Sequence, residues 1–322
     1  MSSDLNPVVR LARSTGPDWT KTAANIMLGR TVRELREESG LTQKSLAQAI
    51  HVSVSTINRL ETAETTPMRR TVDAVINVLE PDADTRDTLS VLLSRAMEPE
   101  WFQHRFSDCT PEYLHRLLGL ESMAITITTY DVRLVPGLLQ TPGYTEHIIR
   151  TGLHLSEWDG PEVELRLAQR RERQLRVLGQ PDPPQCVVVM DQSVLVRKAG
   201  TKNVMREQMT YLREMSDLPH ITIRFVLSSR MIAGNAAAMA GSMAQLEFGR
   251  GGLPGFVYAE QYEKADYFTR PAPKRRDPNK PPTPRQNDYE RHLQLLLRIQ
   301  GEGCASPAKS RRMLDKAIKR YS

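Results

Sequence analysis

The sequence predicts two units of different class in one chain: an all-α N-terminal domain followed by an α/β (α+β) C-terminal domain. Three observations carry this expectation. Residues 24–97 hold short helical patterns broken at regular intervals by capping residues, glycine or proline. From Ala124 onward, helical and strand-like stretches alternate instead. The length, 322 residues, exceeds what one small domain needs. Hydrophobic residues at 39% and charged residues at 25% suit a globular chain. The absence of any apolar run of eighteen residues, and of a signal-peptide core, leads to the expectation of a cytoplasmic chain with no membrane span.

Taken in order, residues 1–22 are polar, carry Pro7, Gly16 and Pro17, and read as a flexible leader. The first domain is placed at 23–98. Leu28, Val32 and Leu35 mark a helix ended at Ser39-Gly40, where glycine serves as the C′ residue. Thr42 caps a second helix over 43–50, and Ser53 caps a third to about Thr62. Thr66 with Pro67 opens a fourth, striped by Val72, Val75, Ile76 and Leu79 and stopped at Pro81. Residues 84–97 form the fifth, with Leu89, Leu92, Leu93 and Ala96 on one side. The second domain is placed at 99–304. Trp101, Phe102 and Phe106 cluster ahead of a helix over 110–120. Strands are expected at 125–130, 187–190, 221–226, 242–248 and 256–260, the last two joined by the glycine-rich stretch Gly249 to Gly255. Helices fall at 142–150, 163–178, 204–215 and 288–300, and 305–322 is a closing helix. The segment 271–284, with six prolines and four basic residues, reads as a solvated loop.

The net charge is +6, which invites a nucleic-acid reading. Its distribution is uneven: residues 264–322 hold fifteen Lys+Arg against six Asp+Glu, or +9, and the rest of the chain sums to −3. An N-terminal nucleic-acid site therefore depends on where charge is placed, not on its total.

The most specific pattern lies between Gln43 and Glu61. Two short helices must meet steeply for the second to fit a major groove about 12 Å wide. That geometry needs apolar side chains at set offsets and a small residue where the helices touch. Counted from Gln43, Leu46, Ala47, Ile50, Val52, Ile57 and Leu60 occupy those offsets. The turn position that favours glycine holds His51, which tolerates positive φ at a cost of about 1 kcal/mol.

On these residues, 24–80 resembles the repressor-type helix-turn-helix of the xenobiotic-response-element family. The resemblance implies double-stranded DNA as partner, read in the major groove by a homodimer on a pseudo-palindrome. It places Val54, Ser55 and Asn58 toward the bases, with Val54 against a thymine methyl and Asn58 paired with adenine, puts Gln43, Lys44, Arg59, Arg69 and Arg70 on phosphates, and counts the capping Ser53 among the DNA-binding residues. The alternative is a set of merely solvated polar residues on a protein-docking helix.

Residues 101–300 resemble the C-terminal domain of unknown function of actinobacterial, WhiJ-like Streptomyces regulators. The matching stretches are Trp101-Phe102, Leu118 to Glu121, Val135 to Thr141 with Tyr144, Arg170 to Gln174, Met205 to Met209, Leu246 to Phe248 and Val257 to Glu260. The Met231 to Gly241 stretch and the 271–284 insert depart from that pattern. The resemblance implies a domain that senses a partner protein or small ligand, or, alternatively, an antitoxin-like protein that sequesters a small acidic partner encoded nearby. Arg166, Arg170, Arg173 and Arg176 share one helix face, which reads either as a solvated stripe or as a docking face for such a partner. Val135 to Thr141 reads either as a buried connection or as a backbone shape offered to a ligand, and Gly249 to Gly255 as a hairpin turn rather than a phosphate loop.

Nothing in the pattern points to an enzyme, a metal or a cofactor. The seven histidines form no HxH, HExxH or Cys/His cluster, and no GxSxG or P-loop occurs. Cys109, Cys186 and Cys304 are far apart and read as thiols of a reducing compartment.

Overall fold

The computed structural model describes residues 22–152, 160–229, 240–249, 255–261, 264–270 and 287–322. The leader before Thr22, most of the 231–241 stretch, the centre of the glycine-rich turn and the 271–284 insert lie outside the described residues.

Five helices form the N-terminal part: α1 (Ala23–Glu38), α2 (Gln43–Ala49), α3 (Val54–Glu61), α4 (Arg69–Leu79) and α5 (Ala83–Ala96). Side-chain caps start four of them, from Thr22, Thr42, Ser53 and Asp82. Gly40, at φ +69°, takes the left-handed position past α1. The expected start of the fourth helix at Thr66-Pro67 is wrong. Met68 is still extended and helical geometry begins at Arg69 without a side-chain cap. Tertiary contacts explain this: Pro67 is buried and Asn25 Nδ2 donates to Thr65 O at 3.0 Å, which holds the connection against α1.

The C-terminal part is a mixed α/β domain. After α6 (Glu112–Glu121) come β1 (Thr126–Asp131), α7 (Pro142–Gly152), α8 (Gly160–Leu178), β2 (Gln185–Asp191), α9 (Lys202–Met215) and β3 (Ile221–Val226). Then follow β4 (Met243–Glu247), β5 (Phe256–Glu260), β6 (Ala265–Thr269), α10 (Asp288–Arg298) and α11 (Pro307–Tyr321). The six-stranded sheet has the order β3-β2-β1-β4-β5-β6. β1, β2 and β3 run parallel, joined by helical crossovers; β4 pairs antiparallel with β1, β5 antiparallel with β4 and β6 antiparallel with β5. The edge strand β6 is missing from the sequence reading. Its residues are mostly half-buried with no clean alternation, so the apolar pattern that marks the inner strands is absent.

Alternation divides the sheet into two faces. Ile127, Cys186, Val188, Met190, Leu246 and Phe256 belong to a core that continues through α6 into the N-terminal helices. Tyr130, Val189, Met243 and Val257 pack on the other side with Tyr289 and Leu296 of α10. Helix α11 lies against α9 and β3. The N-terminal helices dock on the sheet domain through α1 and α6, where Ala23 N donates to Glu100 Oε1 at 2.9 Å. Among the described residues, no helix is long and apolar enough to cross a membrane.

Candidate nucleic-acid interface

Helices α2 and α3 are joined by Ile50 to Ser53. Val52 N closes on Ala47 O at 2.9 Å, and His51 takes φ +56°, the left-handed conformation expected at this turn. Leu46, Ala47, Ile57 and Leu60 are buried at the helix contact. The end of α3 then meets α1 so closely that a Cβ on Gly29 would sit 2.3 Å from Leu60 O, so glycine is required there. Ala63, at φ +55°, ends the turn after α3.

Beneath α3 lies an ion pair absent from the sequence reading. Arg36 Nε meets Glu61 Oε1 at 2.5 Å and Arg36 Nη2 meets Glu61 Oε2 at 3.0 Å, both side chains being buried. Arg36 Nη1 also donates to Leu41 O at 2.8 Å. The Glu61 carboxylate holds the Arg36 guanidinium above its ordinary pKa. The signal was available: Arg36 continues the Leu28-Val32 stripe of α1, and an arginine on an apolar stripe needs a carboxylate partner.

The opposite side of α3 faces solvent among the described residues. Ser53, Val54, Ser55, Asn58 and Arg59 are all exposed, Val54 at 44%. Ser53 accepts from Thr56 N, so its hydroxyl serves the helix start. Arg59 Nε donates to Ser55 O at 3.3 Å. Lys44, Arg69 and Arg70 are exposed as well. Gln43 differs from these: it is half-buried, and its amide donates to Glu61 Oε2 at 2.8 Å.

A helix-turn-helix domain profile matches residues 27–89, from within α1 to within α5. A second profile, for a domain of unknown function (DUF5753), matches residues 114–276, just over half of the chain. The chain belongs to the DUF5753 family. No curated protein matches it.

In the DUF5753 domain the four arginines of α8 do not form one outward stripe. Arg173 makes a bidentate pair with buried Glu121, at 2.6 and 2.7 Å. Arg170 Nη1 donates to Gln140 Oε1 at 3.1 Å, and burial together with neighbouring Arg173 lowers its pKa to about 10. Arg166 lies 3.7 Å from Glu162, and Arg176 pairs with Glu172 at 2.7 Å while covering the Trp101 ring. A solvated stripe therefore describes Arg176 but not Arg170 or Arg173. Val135 to Thr141 is mostly buried, with a single 3₁₀ turn at Gly137–Leu139, and Gln174 Nε2 donates to Gly137 O and Gln140 O. Among the described residues no group of three or more His, Cys, Asp or Glu side chains is arranged to hold a metal, and all three cysteines are buried.

Proposed function

We propose that this protein is a sequence-specific DNA-binding transcriptional regulator, cytoplasmic, whose DUF5753 domain senses a small ligand or partner. The observation that carries this reading is the two-sided character of α3. Ile57 and Leu60 lock one side into the domain, while Val54, Ser55 and Asn58 are exposed. A short exposed helix held from behind by a buried ion pair has the shape a major groove accepts. Asn58 has the donor and acceptor of a bidentate adenine contact, and Val54 supplies an apolar face for a thymine methyl. Lys44, Arg59, Arg69 and Arg70 flank it as phosphate contacts. Gln43 can reach a phosphate only by giving up its bond to Glu61. A homodimer reading two half-sites about one helical turn apart fits so small a recognition helix. In the reading as a partner-sequestering, antitoxin-like protein, Arg170 and Arg173 would meet a partner already engaged by Gln140 and Glu121.

Selection from random duplexes by the purified chain supplies the site on which this is tested. Asn58→Ala should weaken binding there by about 1 to 3 kcal/mol with little change on unrelated DNA, whereas Arg59→Ala should weaken both alike. Equal losses on both duplexes for Asn58→Ala would remove α3 from base readout.

A further inference from the structure

A cleft of about 340 Å³ opens at the carboxyl end of β1. Topology puts it there. β1 lies between parallel β2, reached by its own crossover, and antiparallel β4, which enters on the other side. Open α/β sheets hold their ligands at the carboxyl ends of strands where the order reverses in this way. Sheet register sets the floor. Thr129 and Asp131 of β1 point to the same face as Ala244 of β4 and Tyr258 and Glu260 of β5, so an apolar face ends in a polar row. Helix α8 covers this row with Arg170 and Arg173, and α6 contributes Leu117 and Glu121.

The row is unfinished. Asp131 makes no ion pair within 4 Å among the described residues; burial and the charge of Glu260 push its carboxyl up to about 7, against the opposing pull of the neighbouring Ser242 and Thr129 hydroxyls and the Arg173 charge. Thr129 and Tyr258 are 8% and 3% exposed, and each hydroxyl lies near a carboxylate, yet neither makes a well-formed hydrogen bond. Buried hydroxyls without partners are uncommon, and a bound molecule is one thing that satisfies them. Charge indicates what kind. Glu121 and Arg173 neutralise each other, which leaves Asp131 and Glu260 against Arg170, with Arg133 exposed at the rim.

We propose that this cleft binds a small organic cation, a primary ammonium on an apolar body. The ammonium lies between Asp131 and Glu260, donating one hydrogen to each, and its third hydrogen goes to the Thr129 or the Tyr258 hydroxyl. Leu117, Leu138 and Ile148 line the space for the apolar body. This deepens the sensing part of the regulator reading. Arg173, in the cleft wall, is held by Glu121 on α6, and α6 packs on α1 of the DNA-binding domain, so a shift of α8 reaches the helix-turn-helix through that pair. Binding of the cation itself does not depend on DNA.

The test uses the full chain with phenethylamine and its uncharged counterpart 2-phenylethanol. Phenethylamine should raise the melting temperature with dose, and 2-phenylethanol should bind about tenfold or more weakly, because it lacks the charge-assisted hydrogen bonds. Asp131→Asn should abolish the amine response while leaving the unliganded protein at least as stable as before, and Glu260→Gln should weaken it several-fold. Equal stabilisation by the two compounds, an amine response that survives Asp131→Asn, or no response to phenethylamine up to its solubility limit would each overturn the proposal. DNA binding by the unliganded chain is measured separately, and its failure would count against the regulator reading while leaving the amine result intact.

Discussion

Arg36 and Glu61 form a buried bidentate ion pair that joins α3 to α1, two elements otherwise held by apolar contact. The orientation of the exposed face of α3 depends on this pair. Glu61 also receives Gln43, so one carboxylate joins the first three helices of the domain. Removing one partner leaves the other buried and uncompensated. Glu61→Leu should therefore destabilise the N-terminal helices by roughly 3 to 5 kcal/mol, and the double variant Arg36→Met/Glu61→Leu by clearly less. Urea unfolding of the three proteins checks this; a double variant as unstable as the single one would show that the pair is not a closed unit.

His51 stores strain at the turn between α2 and α3. Its φ of +56° is the conformation that glycine adopts freely and an L-residue at a cost. The side chain is exposed, so its removal opens no cavity. His51→Gly should raise stability by a fraction of about 1 kcal/mol, since glycine's added unfolded-state entropy takes back part of the gain. Affinity for the selected duplex should not change. A clear drop in melting temperature would mean that the imidazole makes a contact worth more than the strain.

What could be read in the sequence, and what could not, follows from the range of the interactions. The helix-turn-helix was legible because its constraints are local: Leu46, Ala47, Ile57 and Leu60 sit at fixed offsets and are buried where those offsets require. His51 was placed in the left-handed region for the same reason. The α8 arginines show the limit. Periodicity puts Arg166, Arg170, Arg173 and Arg176 on one face but cannot say what covers it, because Glu121 lies 52 residues away and Gln140 thirty. Arg36 and Glu61 are likewise 25 residues apart. The cleft was invisible for a further reason. Asp131 and Glu260 share it through strand order, which reverses at β1, and no stretch of sequence states that order.

Asp131 should also leave its mark on the pH dependence of stability. An unfolded aspartate titrates near 3.9, whereas this one is raised to about 7, chiefly by burial and then by the charge of Glu260. Below about pH 4 both states carry the proton and the group contributes no difference. As pH rises from about 4 to about 7, the unfolded chain releases its proton while the folded one keeps it, so this group lowers stability progressively; above that window both states are ionised and the loss is constant. Asparagine cannot ionise. The stability of Asp131→Asn minus that of the natural protein should therefore rise between about pH 4 and 7 and level off above. Urea midpoints across that range measure the difference, in which the other titrating groups largely cancel. A difference that stays flat would show that the Asp131 carboxylate is already compensated in the folded chain, and would remove the charge that the cleft offers to a cation.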